Sequence, residues 1–192
     1  RASFQTRFFE ERFIKIGLPY KIIGGTKFYE RLEIKDALAY LRILVSDYDD
    51  LAFERIINVP KRGLGEQSIR KIEILARENK MSLVEASRKI LNENILSAKA
   101  SNSLNNFLNL LNVWRDKYGS LSASEISEIV LEESGYTEYW QNDKSVESMG
   151  RLENLKELIT AISDFNDLKG FLEHIQLVMD NNYNNNLDSV NL

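Results

Sequence analysis

Apolar residues follow two different patterns along this chain, and the pattern changes near residue 33. Residues 4–16 carry apolar side chains at helical spacing, and Gly17 follows them as a glycine commonly follows the C-terminus of a helix. Residues 20–23 then form a short strand candidate, which Gly24 and Gly25 close. This succession of helix, turn and strand predicts that the chain opens with a piece of an α/β layer.

From residue 33 the apolar period is about 3.6 residues, which predicts a series of helices and an all-α, bundle-like body. Asp49 or Asp50 is the expected N-cap of the second helix. Ser82 and Ser122 are each followed three residues later by glutamate, which predicts two helices that begin with capping boxes. Further helices are expected at residues 97–118, 152–165 and 168–179. The side chains that mark the apolar faces are Ile34, Leu38, Leu41, Val45, Phe53, Ile57, Ile69, Ile72, Leu75, Ala76, Leu104, Phe107, Leu108, Leu111 and Trp114.

The end of the chain is polar. Residues 180–188 are rich in asparagine, which predicts a loop. Residues 189–192 alternate weakly, as the beginning of a strand does. Strand-like ends on both sides of a helical body are expected where a helical domain is inserted into a sheet domain.

Composition excludes several classes of site. The 192 residues suit one domain, and the fractions of 43% hydrophobic and 28% charged residues are ordinary for a globular protein. No apolar run approaches the ~18 residues of a membrane span. The absence of cysteine excludes disulfides and thiolate metal ligands, and it agrees with a reducing, cytoplasmic location. Because Arg1 rather than methionine stands first, we expect a piece of a longer protein.

Charge is distributed unevenly around the formal net value of −4. Residues 1–119 hold 21 basic and 15 acidic side chains, whereas residues 120–192 hold 4 basic and 14 acidic ones. A positive front part and an acidic back part would direct a polyanion to one side of the molecule. Solvated helix faces explain the same counts, and charge alone favours that simpler interpretation.

The most informative segment is Asn58-Val59-Pro60-Lys61-Arg62-Gly63-Leu64-Gly65, between two amphipathic helices. Pro60 ends the first helix because its ring and missing N–H stop propagation. Gly63 and Gly65 permit positive φ and place no Cβ over the backbone. Leu64 between them is expected to plug into the helix pair while the flanking amides point outward.

Those amides, with the N-terminus of the following helix, would form a nest that suits an anionic oxygen. Lys61 and Arg62 supply positive charge beside it, and Ser68 supplies a hydroxyl donor. The pattern resembles a helix-hairpin-helix, which grips the DNA backbone without reading bases. A tight interhelical turn with no ligand is the alternative; the lysine–arginine pair and the basic front part favour phosphate.

Other candidate sites are weaker. Arg1, Gln5 and Arg7 would suit a sugar–phosphate backbone if their segment is helical. The single His174 lacks companion metal ligands. Trp114 and Trp140 are expected in the core. No G-x-x-x-x-G-K-[ST] loop is present to cradle a nucleotide, so we expect no catalytic, cofactor or metal site in this chain.

Several segments together resemble the UvrD/PcrA/Rep family of superfamily-one, ATP-dependent 3′–5′ DNA helicases. Their order and spacing agree with the family along nearly the whole chain. The segments are Arg1-Ala2-Ser3-Phe4-Gln5-Thr6-Arg7; Pro19-Tyr20-Lys21-Ile22-Ile23-Gly24-Gly25; Phe28 to Arg42; Asn58 to Gly65; and Arg151-Leu152-Glu153-Asn154-Leu155-Lys156-Glu157-Leu158.

The resemblance implies that residues 1–26 are the edge of the RecA-like domain 2A, residues 27–186 the helical 2B domain, and residues 187–192 the return to 2A. ATP and Mg²⁺ would be bound by the motor domains of the parent protein. The expected partners are duplex DNA, single-strand/duplex junctions, those motor domains, and repair or replication proteins, with no membrane and a monomeric chain.

The resemblance carries over few functional residues. Lys61, Arg62 and the Gly63-Leu64-Gly65 turn resemble the family's contact with the duplex ahead of the fork. The Arg1–Arg7 segment resembles the 2A piece near the single-stranded track. Here Ser3-Phe4 stands where the family commonly shows Asn-Ala, and Leu64 replaces the more usual isoleucine. The Arg151–Leu158 segment is expected to pack as a helix.

The sequence leaves three functional hypotheses. The first is an accessory, regulatory domain that holds duplex DNA non-specifically and swings relative to the motor. The second is a protein-interaction module whose acidic back part docks a basic repair or replication partner, without direct DNA binding. The third is an independent enzyme, which no nucleotide loop, metal cluster or nucleophile–base pair supports.

Overall fold

The computed structural model describes residues 28–188, with side chains through residue 179, and every regular element in that range is a helix. A 3-10 turn at Phe28–Glu30 precedes the first α-helix. The α-helices are α1 (Leu32–Val45), α2 (Asp50–Ile56), α3 (Glu66–Asn79), α4 (Leu83–Asn92), α5 (Ala98–Lys117), α6 (Ala123–Glu133), α7 (Tyr136–Gln141), α8 (Ser148–Ser163) and α9 (Leu168–Asp188). The predicted all-α class is therefore confirmed for the described part of the chain.

The helices begin where the sequence signals predict. Asp49 is the N-cap of α2, and its carboxylate accepts from the Ala52 amide at 3.0 Å. Ser82 and Ser122 each exchange side-chain and backbone hydrogen bonds with a glutamate three residues later, so both capping boxes are formed. Each cap typically stabilises its helix by about 1 kcal/mol, so the local signals favour the same helix starts that the tertiary structure has.

Helix α1 lies at the centre of the fold. Ten of its fourteen residues are buried, and it packs against α2, α5, α6, α8 and α9. A helix that is covered on nearly every face belongs to the core rather than to the surface. The expected apolar face of α5 is also confirmed, because Leu104, Phe107, Leu108, Leu111 and Trp114 are all buried.

The structure differs from the predicted elements in two places. The loop predicted for residues 180–188 is wrong, since α9 continues through Asp188. No proline or glycine interrupts this stretch, and asparagine costs a helix well under 1 kcal/mol per residue. The short helix α7 was not predicted. The helix predicted at residues 4–16 and the strands predicted at 20–23 and 189–192 lie outside the described residues.

Candidate functional site

The loop between α2 and α3, called here the Pro60–Gly65 loop, is closed by one side chain. Asn58 accepts the Arg62 amide at its Oδ1, at 2.9 Å, and donates from Nδ2 to the Leu64 carbonyl at 3.0 Å. Asparagine is well suited to this task because its amide both accepts and donates. The site prediction omitted Asn58, although its place just after a helix was a signal that it organises a turn.

The two glycines of the loop differ in conformation. Gly63 has φ +76°, where a side chain is strained, so the predicted positive φ is confirmed at this residue. Gly65 has φ −70° and ψ 158°, which any residue adopts, so it does not use the positive φ that glycine permits. A Cβ added to Gly65 would meet no atom within 4 Å. Leu64 between them is only 2% exposed, which confirms the predicted plug.

The loop delivers an open helix N-terminus. Gly65 is the N-cap of α3, and no side chain caps it. The first amides of any helix lack intrahelical acceptors and carry the positive end of the helix dipole. Here Ser68 bonds back to the Gly65 carbonyl at 2.9 Å, which leaves the Glu66 and Gln67 amides to be satisfied from outside the helix. The Glu66 carboxylate is paired with Arg70 at 2.6 Å.

Arg62 is directed into the protein. Its guanidinium donates to the Ile56 carbonyl at 2.7 Å and to the Tyr40 hydroxyl, and it stacks 4.5 Å above the Phe107 ring. A weaker donation reaches the Ser134 carbonyl at 3.4 Å. The guanidinium therefore closes the end of α2 and braces the loop from beneath. Sequence alone did not indicate this orientation, since the Tyr40 hydroxyl, the Phe107 ring and the Ser134 carbonyl reach Arg62 only in the folded chain.

Lysines border the outer side of the loop. Lys61 is exposed on the loop itself, and Lys99, at the start of α5, is also exposed. The Cε of Lys99 would lie 3.6 Å from a Cβ added to Gly63, so the stem of this lysine crosses the glycine. Lys71 of α3 donates to the Ile95 carbonyl at 3.2 Å, which ties α3 to the segment before α5. Lys99 was missed because nothing local distinguishes it from other surface lysines.

The loop also borders a mixed cleft, which Lys61 itself helps to line. Glu138, Tyr139, Asn142 and Asp143 line it together with Pro60 to Arg62, Ser134 and Gly135. Hydrogen bonds from the hydroxyl and amide of Ser145 hold the pKa of Asp143 below its usual range, so this carboxylate is ionised at neutral pH. An anion approaching the loop is therefore favoured from the side of α3 and α5.

A buried polar cluster lies beneath the loop. The Tyr136 hydroxyl donates to Asp36 at 3.0 Å, and Arg55 donates to the other oxygen of Asp36 at 2.6 Å. Burial raises the pKa of Asp36 above its ordinary value, although Arg55 and Tyr136 oppose that change. Burial likewise raises the pKa of Tyr136, whose hydroxyl therefore stays protonated. The Tyr40 and Tyr136 rings lie 5.8 Å apart and connect this cluster to Arg62.

The Arg151–Leu158 segment contributes one polar contact to the base of α1. Asn154 donates to the buried Glu33 carboxylate at 2.6 Å and accepts from Arg31, also at 2.6 Å. Arg151 stacks 4.4 Å above the Trp140 ring. The segment thus fastens α8 to the entry of α1 in addition to packing as a helix.

Several expectations fall elsewhere. Arg1, Gln5 and Arg7 lie outside the described residues, so a site there stays a prediction. Both Trp114 and Trp140 are buried, as predicted. Among the side chains that the structure describes, residues 28–179, no three of His, Cys, Asp or Glu lie together as a metal site would require. None of the helices in that range is both long and apolar enough to cross a membrane.

Comparison with known proteins gives a consistent result over the whole chain. The family model described as the UvrD-like helicase C-terminal domain matches residues 1–192. DNA helicase II of Rickettsia typhi is 46% identical over 181 residues, which is 94% of this chain and 28% of that protein. ATP-dependent DNA helicase PcrA of Bacillus subtilis is 39% identical over 186 residues, covering 94% of this chain and 25% of that protein.

A more distant relative agrees. DNA helicase II of Escherichia coli is 33% identical over 186 residues, which cover 92% of this chain and 26% of that protein. The chain thus spans about a quarter of the length of these curated relatives.

Proposed function

The chain belongs to the UvrD-like helicase C-terminal domain family, and from that premise we propose that residues 27–186 act as the accessory 2B domain of an ATP-dependent 3′–5′ DNA helicase. In this proposal the domain holds duplex DNA, without regard to sequence, beside a single-strand/duplex junction during repair or replication. ATP and Mg²⁺ belong to motor domains of the parent protein. Residues 1–26 and 187–192 belong to domain 2A.

The uncapped N-terminus of α3 is the observation that carries the proposal. Two unpaired amides and the positive end of a helix dipole meet where Gly65 leaves open space, and Lys99 lies against Gly63, two residues before it. The fold itself does not require glycine at that position, whereas close approach of a phosphate oxygen does. Contacts of this kind position a protein on DNA and carry no base information, which agrees with non-specific binding.

Within the site we assign different roles to the residues. Lys61, Lys99 and the amides of Glu66 and Gln67 contact phosphate, and the Ser68 hydroxyl supports them from the first turn of α3. Leu64 anchors the loop in the core, and Gly63 provides the turn. Arg62 is a positioning residue, since its guanidinium is engaged by backbone carbonyls and aromatic rings. Arg1, Gln5 and Arg7 are proposed to approach the single-stranded track.

The proposal is tested by titrating a labelled duplex that carries a single-stranded tail with the chain, at about 50 mM and about 200 mM salt. We expect a dissociation constant on the order of 10⁻⁴–10⁻⁶ M near physiological salt for the native chain. Lys61→Ala and Lys99→Ala should each flatten the logarithmic salt slope by about 0.9, because each removes one phosphate contact. Excess unlabelled blunt duplex should compete.

A variant at Gly65 separates binding from folding. Gly65→Ser places a hydroxyl at the helix N-terminus that the phosphate would use, so DNA affinity should fall while α3 gains a side-chain cap. Lys144→Ala is the matched control, because Lys144 is an exposed lysine in the acidic part of the chain. Binding that ignores salt, or equal losses in Lys144→Ala and Lys61→Ala, would contradict the proposal.

A further inference from the structure

A second surface feature lies between α6, α7 and α8. It is a groove of about 350 Å³ whose apolar lining comes from Leu131, Leu152, Leu155 and Ile159. Leu131 and Leu155 are buried in its floor, whereas Leu152 and Ile159 are half-buried and present part of their side chains to solvent. The floor therefore belongs to the core, and its upper edge offers apolar area to a ligand.

The rim of the groove is acidic along α6. Glu128 and Glu132 are exposed, lie one helical turn apart and line the groove. Neither forms a salt bridge within the described residues, whereas the adjacent Glu133 accepts from Trp114 at 2.8 Å and from Lys117 at 3.1 Å. Lys156 is the single cation among the residues that line the groove.

This arrangement does not help the isolated fold. Like charges four residues apart on a helix destabilise it by about 0.2–0.5 kcal/mol, whereas opposite charges stabilise it by a similar amount. The chain uses the favourable pattern elsewhere, at Lys89–Glu93 and Lys169–Glu173. Residues 123–163 hold 9 acidic and 3 basic side chains, so the groove also lies in a strongly negative field.

We propose that this groove docks an amphipathic, lysine- and arginine-rich helix of a partner protein. Apolar side chains at helical spacing would cover Leu152 and Ile159, and cations on their flanks would meet Glu128 and Glu132. A helix laid into an apolar groove is a common mode of peptide recognition. Rim charges of complementary sign mainly give specificity and faster association. The same negative field disfavours nucleic acid at this face.

Docking here is compatible with DNA at the Pro60–Gly65 loop. Helix α7 presents Glu138, Tyr139 and its C-cap residue Asn142 to the cleft beside the loop, and Thr137 and Gln141 to the groove. The cleft and the groove are therefore neighbouring faces of one short helix, and none of the residues proposed to contact DNA lines the groove. The proposal does not depend on the DNA-binding role.

The probe is a fluorescein-labelled peptide of about 18 residues, made of leucine and lysine with leucine at helical spacing. The 192-residue chain should bind it at low salt, and binding should weaken as added salt shortens the Debye length. A scrambled peptide of the same composition and a peptide with glutamate in place of lysine are the controls. Equal binding of the scrambled peptide, or no binding of the amphipathic one, would overturn the proposal.

Variants of the chain locate the binding surface. The Glu128→Lys, Glu132→Lys double variant should weaken the peptide by about tenfold or more, since each reversal turns attraction into repulsion. Leu152→Gln should weaken it through the apolar contact. The matched control is Glu54→Lys, Glu78→Lys, an equal charge change on α2 and α3, which should retain binding. If both double variants behave alike, the groove is not the site.

Folding and the other occupant are checked on the same samples. Circular dichroism and thermal midpoints should match between native and charge-reversed chains, because the substituted side chains are exposed. The groove variant should still bind the tailed duplex, which distinguishes failure here from failure of the DNA-binding proposal. If sedimentation shows that the native chain self-associates and the groove variant does not, a second copy occupies the groove and the proposal is overturned.

Discussion

Gly63 and Gly65 are equivalent in the sequence but not in the backbone. Because Gly63 has φ +76°, Gly63→Ala should lower the free energy of unfolding by about 1–2 kcal/mol. Gly65→Ser should leave it unchanged or raise it by about 0.5 kcal/mol, since serine caps a helix slightly better than glycine and restricts the unfolded chain. Urea denaturation measures both. Equal destabilisation by the two variants would show that Gly65 is also a folding requirement.

For single residues, the sequence predicted which side chains form the loop better than it predicted where those side chains point. Gly63, Leu64 and the loop ends were predictable because turn residues act on their own backbone. Arg62 was expected beside the phosphate site and instead faces the carbonyl end of α2, because Tyr40 and Ser134, which are distant in sequence, also draw its guanidinium inward. Lys99 was invisible for the same reason, since only the fold brings it to Gly63.

Among the elements, the corner between α1 and α2 is held by an ion cluster. Asp47 contacts Arg88 of α4 at 2.8 Å and Arg115 of α5 at 2.6 Å. Burial alone would raise the pKa of Asp47, but the hydrogen bond from Arg88 and the ion pair with Arg115 outweigh burial and lower that pKa. A carboxyl group with a lowered folded-state pKa contributes stability above its unfolded pKa, and this stability is lost as the pH falls through the folded-state value.

Asp47→Asn should therefore lower the free energy of unfolding by about 1–3 kcal/mol at pH 7, because two arginines lose a charged acceptor. The difference from the native chain should begin to narrow near about pH 4, where the unfolded chain takes up the proton, and should vanish as the pH falls through the lower folded-state pKa of Asp47. Denaturation at several pH values measures this. Asp116→Asn, at an exposed acid in α5, is the control, and an equal loss there would refute the specific role of Asp47.

Element boundaries were predictable where capping residues mark them, as at Asp49, Ser82 and Ser122. The failures are also physical. Helix α7 has only six residues, too few to show a period, and its position depends on burying Tyr136 and Trp140. The asparagine-rich end of α9 lacked helix signals, but no residue there breaks a helix, so the helix that begins at Leu168 continues.

For the whole molecule, the excess of positive charge in the front part of the sequence does not make a broad positive surface. Of the 21 basic residues counted in 1–119, 15 lie in the described range 28–119, together with 13 acidic ones. Several of these cations are neutralised by ion pairs, such as Arg42 with Asp49 and Arg55 with Asp36. The positive site at the loop is therefore local, made by Lys61, Lys99 and the α3 amides, whereas the acidic surface of α6–α8 is broad.

Lys61, which is exposed, and Arg62, which braces the loop from beneath, should affect DNA binding in different ways. Lys61→Ala should flatten the salt slope by about 0.9 and change stability by less than about 0.5 kcal/mol, because the side chain is exposed. Arg62→Gln should lower stability by about 1–3 kcal/mol, since buried carbonyls lose a charged donor, and should weaken DNA binding without flattening the slope. Paired denaturation and salt titrations measure both. If Arg62→Gln flattened the salt slope as much as Lys61→Ala does, the guanidinium would have to leave its carbonyl acceptors and contact phosphate. The phosphate contacts would then not be limited to the α3 amides and the lysines.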